Sequence, residues 1–107
     1  MAMTPSDFES LADRTLERIA RAVEESGAEC DCEPKASGVL EIEFADGSRI
    51  VVNRHTAAQE IWVAAKSGGH HFRSVGSAWV DTRDKRELLA VLSELITEQS
   101  GSVVVLR

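Results

Sequence analysis

With 107 residues, 43% of them hydrophobic and only two of them cysteine, the chain can build one hydrophobic core but no disulfide scaffold. No run approaches the roughly 20 apolar residues of a membrane span, and MAMTPSDFES has neither a basic nor an apolar leader segment, so a cytoplasmic protein without membrane association is expected. The net charge of -6 is uneven, with 12 acidic against 4 basic groups in residues 1–46 and 6 against 8 beyond, which argues against nucleic acid and favours a cation or a basic protein surface.

Residues 1–3 read as extra residues ahead of a single domain covering 4–107. The first element is a helix over 6–26, where Phe8, Leu11, Ala12, Leu16, Ile19, Ala22 and Val23 recur at helical spacing. Thr4 before Pro5, or Ser6 with Glu9 three residues on, supplies its N-cap, and Gly27 its left-handed C-cap. Its polar side carries Glu9, Asp13 and Glu17 at i, i+4 spacing, and Glu24 and Glu25 crowd a last turn whose dipole they oppose.

In AECDCEP the period changes to two. Alternation sends Cys30 and Cys32 toward the core and Glu29, Asp31 and Glu33 to the other side. A C-x-C pair without a second cysteine pair does not complete a zinc site. Its Cα atoms, roughly 6.5–7 Å apart on a strand, sit at or beyond the reach of an undistorted disulfide. Like-charged carboxylates clustered at one edge cost stability unless a cation compensates, and such oxygens suit hard divalent cations, bound weakly and with little selectivity.

VLEIEF and RIVVNRH alternate apolar and polar residues around an Asp46–Gly47 hairpin turn. QEIWVAAK, HHFRSV and AWVD follow as short, closely connected strands, so an antiparallel meander of about six strands is the economical topology. The period returns to helical in DKRELLAVLSELITEQSG, with Asp84 and Glu87 in a capping-box pattern. The fold expected is a two-layer α+β sandwich: an antiparallel sheet with the N- and C-terminal helices packed on one face.

The other face then lies open and displays Glu41, Glu43, Asn53, His55, Glu60, Trp62, His71 and Arg73. Trp62 among polar groups is the residue type and setting of an interface anchor, which makes Glu41, Glu43, Asn53, Trp62 and His71 candidate partner-binding residues. His70 and His71 point to opposite faces and cannot share one metal ion. No nucleophile triad, phosphate loop or dinucleotide turn is present, so no catalytic residue is assigned.

Taken together, SDFESLADRTLERIARAVEES, ECDCE, GVLEIEFADGSRIVVNR, EIWVAAKSGGHHF and the Trp79 and Asp81 of SAWVD resemble the frataxin family, most closely its bacterial branch. The resemblance covers the chain beyond Met3. It implies the same sandwich and an iron-binding adaptor or regulator of iron–sulfur cluster assembly that docks on a cysteine desulfurase and scaffold protein, without enzymatic activity. A weak ferroxidase on the same carboxylates, or a metal-independent interaction module, are the alternatives. The implied ligands for Fe2+ or Fe3+, with other divalent cations as substitutes, are Asp7, Asp13, Glu17, Glu24, Glu25, Glu29, Asp31 and Glu33. Asn53 and Trp62 are the implied sheet anchor, and a monomer is expected without iron. The chain departs from the family pattern at Ala20 and Arg21, where acidic residues are usual, and at His55, Ala57 and Glu60.

Overall fold

The structure, a computed structural model, describes residues 3–107. It contains α1 (Pro5–Ser26), β1 (Cys30–Lys35), β2 (Val39–Phe44), β3 (Arg49–His55), β4 (Glu60–Ala65), β5 (Gly68–Val75), β6 (Ala78–Asp81) and α2 (Leu88–Ser100). The six strands form one antiparallel sheet in chain order, the meander that short connections favour. Alternation decides which face each side chain takes: Leu40, Ile42, Ile50, Val52, Ile61, Val63 and Phe72 are buried in one cluster with the apolar stripes of both helices. Both helices therefore cover the same face, and the opposite face is open. Among the described residues no helix is long and apolar enough to cross a membrane.

Thr4 is the N-cap of α1, its Oγ1 accepting from Asp7 N at 3.0 Å, with Pro5 in the first turn; the alternative cap at Ser6 lies inside the helix. Met3, expected outside the fold, is half-buried against the core, and its carbonyl accepts from Gln59 Nε2. Met1 and Ala2 lie outside the described residues.

Two boundaries differ from expectation. Glu29 precedes β1 in an exposed bend rather than opening the strand. The last helix starts at Leu88, not near Asp84, and its N-cap Glu87 makes no side-chain capping bond. The cause is the buried carboxylate of Asp81, which accepts from Arg83 N at 2.8 Å and shapes the turn. A β-bridge from Val80 to Glu87 then keeps the chain extended up to the helix start.

Trp79 closes the core beneath α1: its ring meets Phe8 edge-on and its Nε1 donates to Thr15 Oγ1 at 2.9 Å. The C-terminal tail is anchored on α2. Val104 N donates to Thr97 Oγ1 and Leu106 N to Ser93 Oγ, both at 2.9 Å, which seats Val104 and Leu106 in the core.

Candidate functional site

The carboxylates lie on α1 and on the β1–β2 pair. On α1, Asp7, Glu17, Glu24 and Glu25 are exposed, whereas Asp13 is engaged in an ion pair with Arg54 of β3. Gly38 makes room for that pair, since a Cβ there would lie 2.5 Å from Arg54 Cγ. Glu9 accepts from Thr56 Oγ1 at 3.0 Å.

Asp31 and Glu33 belong to the opposite, open face. Cross-strand pairing sets Asp31 against Glu43 and Glu33 against Glu41, so the four carboxylates form two like-charged pairs on one surface. They border a shallow depression of about 320 Å³. Arg49 of β3 lies at its margin, 3.5 Å from Glu41 and 3.3 Å from Glu43, and Lys35 lies 3.4 Å from Glu33. As alternation implies, β1 turns Asp31 and Glu33 to the open face while Cys30 and Cys32 take the core side. Glu29 is exposed in its bend.

The two thiols are half-buried and unpaired. Burial, then the neighbouring Cys30 and Glu24, push the Cys32 thiol up to about 11, and burial with the Asp31 charge raises Cys30 as well. Thiols kept protonated in this way are poor metal ligands. Among the described residues, no three His, Cys, Asp or Glu side chains are drawn together closely enough to hold an ion. The carboxylates therefore offer a field and separate exposed oxygens rather than a finished cage.

Trp62 occupies the centre of the open face, level with Asn53 on β3 and His71 on β5. It is not freely exposed, as the alternation implied, but half-buried between two imidazoles. His55 stacks on one side of the indole at 3.9 Å between ring centroids and His71 on the other at 4.5 Å, both within 11° of parallel. Its Nε1 donates to Glu60 Oε1 at 2.8 Å, and Arg73 Nη2 donates to Glu60 Oε2 at 3.0 Å.

Glu60 is consequently 8% exposed, although alternation placed it in water. Burial alone would raise its carboxyl; hydrogen bonds from Trp62 and Arg73, with the charges of Arg73 and His71, outweigh that and hold it below the usual carboxylate range. Residue types alone did not single out Glu60. The signal that could have found it is register, which sets Glu60 against Arg73, with Trp62 two residues along the same strand.

The frataxin-like domain profile matches residues 1–102. The chain belongs to the frataxin family. Among its relatives, the iron-sulfur cluster assembly protein CyaY of Dechloromonas aromatica is 53% identical over 98% of this chain and 100% of the relative. The protein of the same name from a Janthinobacterium species is 49% identical over 98% of this chain and 97% of its own length. A solved frataxin from Psychromonas ingrahamii superposes with a TM-score of 0.88 at 34% identity, covering 96% of this chain and 97% of the other. The trimeric yeast frataxin solved with ferrous iron shares the fold, with a TM-score of 0.65 at 23% identity over 95% of this chain and 90% of the other. The frataxin fold thus holds its two helices against one face of the sheet and leaves Trp62 and four strand carboxylates on the other.

Proposed function

We propose that this frataxin-family protein is a non-enzymatic adaptor of iron–sulfur cluster assembly, the process for which its bacterial relatives are named. The observation that carries this reading is the shared placement of Asp31, Glu33, Glu41 and Glu43 on the same open face as Trp62. A sheet surface with two like-charged cross-strand pairs and a half-exposed indole is unfavourable for folding alone and complementary to a basic partner with an apolar recess. The partner is a cysteine desulfurase with its scaffold protein, met by this face and by the exposed acids of α1.

Iron binds weakly and reversibly, in either oxidation state, because the available ligands are solvent-exposed oxygens without a preformed cage. Two loci serve it: Glu24 and Glu25 on the last turn of α1, and Asp31 with Glu33 and their β2 neighbours on the sheet. Ferrous iron is the probe to use, with Co(II) as its air-stable stand-in. In a backbone NMR titration, broadening should begin at residues 24–25 and 31–33 and at the β2 carboxylates. Broadening that begins at His70 and His71, or oxygen consumption on adding Fe(II) that exceeds the protein-free rate and is lost when these acids are neutralised, would overturn the reading.

A further inference from the structure

Trp62 is held by more than its backbone. Its ring lies between two imidazoles, its N–H is fixed by a carboxylate that is itself buried, and Arg73 fixes the other oxygen of that carboxylate. The flanking imidazoles are not equivalent. His55 Nδ1 accepts from Ala58 N at 3.3 Å, so a proton placed there would break a backbone contact of the Thr56–Gln59 turn. His71 Nδ1 faces Glu60 Oε1 at 3.6 Å, too far for a hydrogen bond and close enough to become one if the ring gains a charge.

We propose that Glu60, His55 and His71 are positioning residues for Trp62, and that proton uptake by His71 changes how Trp62 is presented on the open face. With a neutral ring, Glu60 Oε1 serves the indole N–H alone. An imidazolium at His71 is drawn toward the same oxygen, which tightens the contact, shifts the ring on the indole and adds a cation over its face. Glu60 keeps its charge throughout, because its bonds to Trp62 and Arg73 favour the ionised form. The other groups bordering the stack by register are Asn53 of β3 and Arg73 of β5. His55 lies across from Glu60 on β3 and gains nothing comparable from its Nδ1.

The consequence for recognition rests on the docking role proposed above. Added positive charge beside Trp62 weakens attraction to a basic partner, so docking through this face falls on acidification. The device itself is a property of the isolated protein and can be tested without any partner.

The test is the indole N–H signal of Trp62 in proton–nitrogen NMR between about pH 8 and pH 5, which brackets the ordinary histidine range. The buried indole of Trp79, bonded to Thr15, is the internal control. The expected result is one sigmoidal shift of the Trp62 signal with a flat Trp79 signal, lost in His71→Phe and strongly reduced in Glu60→Gln, which keeps an acceptor for the indole. Glu60→Ala should broaden the Trp62 signal at every pH. A flat Trp62 signal in the unaltered protein, or a transition that survives His71→Phe, overturns the proposal. Partner affinity is then measured for the unaltered protein and Trp62→Ala at both ends of the range. A normal NMR transition with affinity indifferent to Trp62→Ala would uphold the device and reject the docking reading.

Discussion

Asp81 shows how one side chain can hold a turn, a histidine and a helix start together. It is 1% exposed and accepts from Arg83 N at 2.8 Å and from His70 Nδ1 at 3.3 Å. Burial pushes its carboxyl up, yet these bonds, with one from the Asp84 backbone and the charge of Arg83, hold it below the usual range. A depressed carboxyl adds stability that is complete above its unfolded value, about 4, and is lost as pH falls through the folded one. Asp81→Ala should orphan these donors and cost about 1–3 kcal/mol at neutral pH, read as a lower melting temperature. The gap between Asp81→Asn and the unaltered protein should narrow below about pH 4. Gly38 carries a second residue-scale prediction. It sits at φ 74° with Arg54 Cγ 2.5 Å from the position of a Cβ, so alanine must both enter a left-handed backbone and displace Arg54 from Asp13. Urea unfolding of Gly38→Ala should show a loss of about 2 kcal/mol or more.

At the scale of elements, the spacing of apolar residues along single segments revealed α1 and the sidedness of β1 to β5, and residue type gave the hairpin turn and the Gly27 cap while leaving the N-cap between Thr4 and Ser6. The start of α2 was hidden: Asp84 and Glu87 have the spacing of a capping box, but a buried carboxylate from the preceding strand and the Val80–Glu87 bridge override it. Asp31 could be assigned a face from its neighbours, but only pairing with β2 shows that it meets Glu43. Glu60 and the two-sided stack on Trp62 also required register. The tail is the element whose contribution is easiest to isolate. It buries Val104 and Leu106 and is tied to Ser93 and Thr97. Ending the chain at Ser102 should remove about 3–6 kcal/mol, the burial of two aliphatic side chains, and shift denaturant midpoints accordingly while leaving the sheet topology intact.

Over the whole molecule, the helices and core make a stable platform, and the open face is where charge and aromatic surface are placed at some cost to folding. Neutralising the strand acids relieves like-charge pairs directly opposite one another, Asp31 with Glu43 and Glu33 with Glu41. Asp31→Asn with Glu33→Gln should therefore melt at the same temperature or higher. A clear fall in melting temperature would mean that these carboxylates stabilise the fold instead of serving a partner. The central claim is that the open face is a docking surface. Its most direct test is calorimetric titration of the desulfurase–scaffold complex with the unaltered protein and with the combined variant Asp31→Asn, Glu33→Gln, Glu41→Gln and Glu43→Gln. The account predicts about a tenfold or greater loss of affinity at low salt, narrowing as salt rises. Unchanged affinity in that variant, with binding abolished by neutralising Glu24 and Glu25 on α1 alone, would contradict it.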